Sequence, residues 1–257
     1  NKTILSGDLQ GNDNANIAYT EATRSDNSYN VVNIQNRATE VVLDGLVVTA
    51  GNGPAGQTWT TKKVGAGLHS GHSILTVRNC VFEKNSGSLG TSIYDHSGTS
   101  TVRIENTIFQ DNVSHMAGTL ALGSHAGGSW SVESCVFFNN HTKDSPFGYQ
   151  WGGAAFLIGP ASGTSTVNNC VFVNNYSTEA GGAIVTENNV LVSNTVFHGN
   201  SSPSTGVDNG QTIWVKNGTC TLKNSIIWGS SGGGSIIGGS SVATNSIIQG
   251  GHAGAGN

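Results

Sequence analysis

The chain has 257 residues, 11 basic and 15 acidic side chains and a formal charge of -4, with charged residues at only 10%, against roughly 25% in an ordinary soluble domain. Glycine accounts for 37 residues, about twice its usual share. These figures exclude the basic footprint of a nucleic-acid or anionic-lipid binder and the Ala, Glu, Lys and Leu content of a helical bundle. No apolar run approaches the ~18 residues of a transmembrane segment, and four cysteines are too few for a disulfide scaffold. The start at Asn1, with no initiator Met or signal-like stretch, reads as a mature product or an excised piece.

In chain order, TILSGDLQGND (3–13) and VVLDGLVVTAGNG (41–53) open the chain, and a short phrase then recurs. After a leading copy GLVVTAG (45–51) come NCVFEKN (79–85), NTIFQDN (106–112), SCVFFNN (134–140), NCVFVNN (169–175) and NTVFHGN (194–200). Weaker copies are NSIIWGS (224–230) and NSIIQGG (245–251). A glycine-led phrase lies between them at GAGLH (65–69), GTSIY (90–94), AGTLAL (117–122), GGAAF (152–156), GGAIV (181–185), GQTIWV (210–215) and GGSII (233–237). An alternating phrase precedes each copy, as in ILTV (74–77), TVRI (101–104) and VLV (190–192). Each repeat thus holds three β-type segments bounded by Gly, Asn or Ser, and none is long enough for a helix.

Such repeats predict an all-β, right-handed parallel β-helix (a solenoid) of about eight to nine rungs with three short strands per rung. A single domain over 1–257 is expected, with an N-terminal rung and cap region at 1–40, regular rungs at 41–251 and a tail at 252–257. Stacking places Val48, Phe82, Phe109, Phe137, Phe172, Phe197, Ile227 and Ile248 in one inward column. Two further inward columns are Leu75/Val102/Val190/Cys220 and Leu68/Ile93/Leu120/Phe156/Ile184/Ile213/Ile236. Cys80, Cys135 and Cys170 share another, as buried thiols whose stacked geometry suits a disulfide poorly. Bends carry Asn79, Asn106, Asn169, Asn194 and Asn224 on one side, and Asn85, Asn112, Asn140, Asn175 and Asn200 on the other. Asparagine tolerates left-handed angles, and its amide both donates and accepts. Stacked asparagines are therefore read as hydrogen-bonded ladders, although Asn112, Asn140, Asn175 and Asn200 also open Asn-x-Ser/Thr glycan acceptor phrases.

F-x-x-N occurs five times, from Phe82/Asn85 to Phe197/Asn200, and Gly-Gly-Ala before an apolar residue occurs at 152–156 and 181–184. These phrases resemble the repeat of the chlamydial polymorphic outer-membrane proteins and of the wider bacterial parallel β-helix repeat proteins. That resemblance implies the solenoid fold and a secreted bacterial protein, extracellular or at the cell surface. The family includes adhesins, surface proteins of unknown role and polysaccharide-cleaving relatives.

Glycosidase chemistry needs clustered carboxylates, whereas Asp95, Glu105, Asp111, Glu133, Asp144, Glu179, Glu187 and Asp208 look scattered. HSGH (69–72) lacks acidic partners. No catalytic residue, metal site or cofactor is therefore assigned; calcium belongs only to the alternative of a polysaccharide lyase or glycoside hydrolase. Three insertions, 53–64, 141–151 and 201–209, follow one bend and should project from one edge. Trp59, Lys62 and Lys63 in the first, with His141, Lys143, Asp144, Tyr149 and Trp151 in the second, are candidate glycan contacts. Two readings stand, ligand binding or mere cover of a strand end. His69, Tyr94, Ala121, Leu157, Val185 and Trp214 form an outward column beside them, of which His69, Tyr94 and Trp214 are further candidates. A β-branched column, Val47 to Ile247, also faces outward, as strand propensity or as a lateral contact. The reading is an extracellular structural or adhesive solenoid presenting a face to a polysaccharide, a cell-surface glycan or copies of itself, with no nucleic-acid partner; a self-assembling filament is the other alternative.

Overall fold

The computed structural model describes residues 2–35, 39–54, 64–71, 74–96, 101–123, 128–143, 152–158, 165–203, 210–232 and 234–257, with backbone alone at 96 and 155–158. Among them, strands form four sheets of nine, eight, eight and four members. The first sheet runs from Thr3–Ser6 to Ile247–Ile248 and carries the phenylalanine phrase. The second runs from Val41–Asp44 to Ser241–Thr244, and the third from Val32–Gln35 to Ile237–Gly238. The fourth, Ser86–Leu89, Val113–Ala117, His141–Thr142 and Tyr176–Ser177, lies between the first and third along the chain and went unread in the sequence. The chain visits the second, first and third sheets in that order, and each strand pairs in parallel with its counterpart one circuit on. This is a parallel β-helix. One 3-10 turn, Ala22–Arg24, interrupts it before the regular circuits.

Phe82, Phe109, Phe137, Phe172 and Phe197 stand in register. Their rings stack at centroid distances of 5.5, 4.8, 4.5 and 4.9 Å, and all five are fully buried. Removing one such ring from a packed interior costs about 3–5 kcal/mol. The column of the second sheet runs through Leu75, Val102, Trp130, Val190 and Cys220 as the repeat requires. In the third sheet the register corrects two positions. Ala155, not Phe156, pairs with Leu120 and Ile184, so Phe156, not Leu157, continues the column of Ala121 and Val185. The count from the glycine pair to the strand is kept, and an alanine replaces the isoleucine. Likewise Ile237, not Ile236, pairs with Ile213.

Each corner has its own chemistry. Before the first sheet, Asn79, Asn106, Ser134, Asn169, Asn194, Asn224 and Asn245 adopt φ between 47 and 55°, a left-handed conformation that asparagine tolerates best among side-chain-bearing residues. Asn224 Nδ2 donates to Asn194 Oδ1 at 3.3 Å, and Asn169 Nδ2 to Ser134 Oγ at 3.1 Å. After the first sheet, the inner asparagines Asn85, Asn112, Asn140, Asn175 and Asn200 are fully buried. Asn112 Nδ2 donates to Asn140 Oδ1 at 3.0 Å and to Phe82 O at 2.9 Å, while the Asn112 backbone N–H donates to the same Asn140 Oδ1 at 3.2 Å. The pattern repeats from Asn85 to Asn200. Residues two further on, Ser114, Thr142 and Ser177, are buried hydroxyls of the fourth sheet. The Asn-x-Ser/Thr phrase is thus a ladder amide, an outward residue and an inward hydroxyl.

The glycine-led phrase turns the chain into the third sheet. Gly181 has φ of 62°, and a Cβ there would stand 2.6 Å from Val185 Cγ2; one on Gly182 would stand 2.5 Å from Ser201 O. The close return brings a further layer over the third sheet. Val64, Leu89, Met116, Ala117 and Ala180 pack on Tyr94, Ala121, Val185 and Trp214 as a second apolar cluster. The column expected to face solvent is therefore buried: His69 is 7% exposed, Tyr94 5% and Trp214 7%. Period-2 parity identifies the side of the sheet, but not what the fourth sheet and its return lay across it.

Replacing Asn140 with Leu should lower unfolding free energy by about 2–4 kcal/mol, because buried backbone partners lose their amide. Asn106→Gly, at an exposed left-handed corner, should change it by less than about 0.5 kcal/mol. Urea denaturation of the two variants checks the contrast.

Candidate functional site

The three insertions begin from one line. Asn52 bridges Ser86, Val113 pairs with His141, His141 with Tyr176, and Ser201 bridges Tyr176 and Ser231. Trp59, Lys62 and Lys63, with Asp144, Tyr149 and Trp151, lie outside the described residues. His141 and Lys143 are described, and they border a cleft of about 200 Å³ with Asp111, Val113, Asn139 and residues 15–17 of the N-terminal loop.

The cleft forms because the N-terminal loop crosses the outer side of the fourth sheet. Tyr19 meets the His115 ring edge-on at 4.4 Å, anchoring that crossing. Asn139 Nδ2 donates to Asp111 Oδ1. This fixes the amide so that Asn139 Oδ1, 3.0 Å from His141 Nε2, accepts the imidazole proton. His141 lies 6.0 Å from the Tyr176 ring, and the Lys143 side chain is exposed. Burial and the Lys143 charge lower the His141 pKa, opposed by Asp111. The result is one carboxylate, one oriented amide, a neutral imidazole and a free-reaching ammonium along a half-open cleft. Such a mixture donates and accepts hydrogen bonds toward a polar ligand.

His69, Tyr94 and Trp214 are set apart from this cleft. The His69 and Tyr94 rings stack at 5.7 Å, and Gln35 Nε2 lies 2.6 Å from His69 Nδ1. Burial, with the Asp95 charge, pushes the Tyr94 phenol up. Lys216 Nζ lies 5.9 Å from the Trp214 ring centroid and 2.9 Å from Glu187 Oε1. These residues belong to the second apolar cluster and its margin.

Sequence reading missed Asp111 and Asn139 as neighbours of His141, and the Tyr19–His115 contact that anchors the loop. The signal for Asp111 and Asn139 was present, because both precede a ladder asparagine. They are left-handed corner residues with φ of 54 and 52°. The contribution of Ala15–Ile17 depends on how the loop crosses, which no local pattern encodes.

The four cysteines are free and buried, and burial pushes Cys220 up to about 12, so its thiol stays protonated and unreactive. Glu105 and Glu133 are register neighbours on the second sheet, flanked by Arg78 and Asn168; neither borders the His141–Lys143 cleft. Among the described residues, no three His, Cys, Asp or Glu side chains are grouped to hold a metal ion. None of the described helical residues forms a helix long and apolar enough to cross a membrane.

Stacked parallel strands, a buried asparagine ladder and glycine-led returns define a parallel β-helix repeat protein. Residues 169–187 match the Chlamydia polymorphic membrane protein (Chlamydia_PMP) repeat. That stretch holds Phe172 and Asn175 of the ladder circuit and the Gly181–Ile184 return. No curated protein and no solved structure matches the chain.

Burial, and secondarily the Lys143 charge, lower His115 to about 4 from an ordinary 6.5. The native state thus binds fewer protons than the unfolded chain between those values, and stability falls as pH drops through that window. The loss from this group is up to about 3 kcal/mol. Denaturation at pH 7 and pH 4.5 should show the fall, and His115→Gln should flatten it.

Proposed function

We propose that the chain is a bacterial cell-surface β-solenoid, structural or adhesive, that engages a glycan along the edge formed by its fourth sheet. The polymorphic membrane protein repeat supports the surface placement. The observation that carries the binding reading is the cleft in which Asp111, Asn139, His141 and Lys143 face the N-terminal loop. Its groups lie on strands and corners held by the ladder, so a ligand would meet a preorganised surface. A glycan array should detect binding, and His141→Ala with Lys143→Ala should weaken it at least ~10-fold, roughly the loss of one good polar contact. Release of unsaturated or reducing ends from acidic or neutral polysaccharides would instead assign the chain to the lyase or hydrolase alternative.

A second reading, lateral self-association, is favoured by the outer face of the first sheet. Val196, Ile226 and Ile247 are 38%, 41% and 59% exposed, with Phe138 at 41% and Trp228 at 55% in the neighbouring column. Exposed apolar residues gathered on one sheet face offer a surface for lateral contact. Light scattering over a concentration series should show growth in mass that Ile226→Lys with Trp228→Lys abolishes; a concentration-independent monomer removes this reading.

A further inference from the structure

The ligand class of the His141–Lys143 cleft follows from where its charges stand. Asp111 and Asn139 are left-handed corner residues of two successive circuits, and the Asp111 backbone N–H donates to Phe138 O at 3.2 Å. Val113 and His141 lie two residues past them and pair in register. Two residues further on, the Lys143 backbone N–H donates to Ser114 O at 2.8 Å. Asp111 therefore stands at the corner, and Lys143 four residues beyond it on the circuit that bears His141. At about 3.3 Å per extended residue, the two charged side chains start from opposite ends of the cleft.

The two charges are not equally committed. Asp111 Oδ1 already accepts from Asn139 Nδ2. The Lys143 side chain is exposed, and among the described residues it joins none of the ion pairs, which are Arg24–Asp13, Arg78–Asp44 and Lys216–Glu187. After burial, the Lys143 charge is the larger influence on His141 and Asp111 the smaller, so the field at the imidazole is net positive. The same ammonium acts on His115, one circuit back. One uncommitted ammonium, a point charge rather than a fork, suits a group carrying a single negative charge; a doubly charged phosphate would need further cations and would meet Asp111. Ile17 and Val113 give the cleft apolar borders, and Asp111 and the imidazole accept hydrogen bonds from hydroxyls. A sugar ring bearing one carboxylate combines these features.

We infer that the cleft selects acidic glycans, pairing the carboxylate of a uronic- or sialic-type sugar residue with Lys143 while the ring hydroxyls meet Asp111 and the His141 imidazole. This rests on the reading of the chain as a glycan binder and names the class of glycan. The test is titration calorimetry on the full chain with oligogalacturonate, oligoglucuronate and sialyllactose, each beside its carboxyl methyl ester, which keeps the sugar and removes the charge. At least one acid should bind, and its ester should bind about fivefold more weakly, the upper range for a partly exposed ion pair. Lys143→Gln should erase the difference between acid and ester, Lys143→Arg should keep it, and added salt should narrow it. Both variants change an exposed side chain, and their urea midpoints should match that of the unaltered chain. Equal binding of acid and ester, preference for the ester, or an acid preference that survives Lys143→Gln would overturn the inference. Equal binding that His141→Ala with Lys143→Ala nevertheless weakens would overturn it while leaving the proposed function standing. No binding of any acid or ester, nor of any neutral glycan on the array, would overturn both.

Discussion

The structure depends on one constraint: a buried amide must find its partners one circuit away. Asn112 reaches back to Phe82 O and forward to Asn140 Oδ1, and its neighbours do likewise. A slip of one residue would leave each amide buried and unpaired, and would also turn every phenylalanine outward. The ring stack supplies large apolar burial and opposes any slip that changes side-chain parity. The ladder adds amide partners that only the native register pairs. Left-handed corners at Asn79, Asn106 and their counterparts then set where each strand begins.

Much of this was legible because the relevant residues recur at fixed offsets. The Phe column, the cysteine-containing column and both sets of asparagines follow from local phrases alone, since a parallel coil converts sequence repetition into spatial neighbours. Sequence reading went wrong where a phrase varied. In GGAAF, the bulky Phe156 seemed the counterpart of Ile184, but pairing preserves the residue count and gives that place to Ala155. The fourth sheet was hidden because its strands are as short as two residues, His141–Thr142 and Tyr176–Ser177, below the length at which alternation can be recognised.

The candidate sites were less legible than the fold, for a related reason. Tyr94 and Trp214 were assigned correctly to the outer side of a sheet, and that side is covered by Leu89, Met116 and Ala180. His141 and Lys143 were identifiable as polar residues at the start of an insertion, but their cleft requires the unrepeated segment 7–30. That segment carries Ala15–Ile17 and Tyr19, so the cleft arises where an irregular part of the chain meets the regular part. Repetition builds the frame, and departures from it supply the polar surfaces that a ligand could distinguish.

The conversion of Asn-x-Ser/Thr phrases into ladder rungs has a consequence for how the protein is made. At Asn112, Asn140, Asn175 and Asn200 the amide nitrogen is inaccessible once the coil has closed. While the nascent polypeptide is still extended, the same nitrogens are open to an oligosaccharyltransferase. A host whose secretory pathway modifies emerging chains would append a bulky saccharide to atoms that must later donate inside the wall of the coil. Production in a eukaryotic export route would therefore jam closure at those positions, whereas synthesis in a bacterial cytosol leaves them bare.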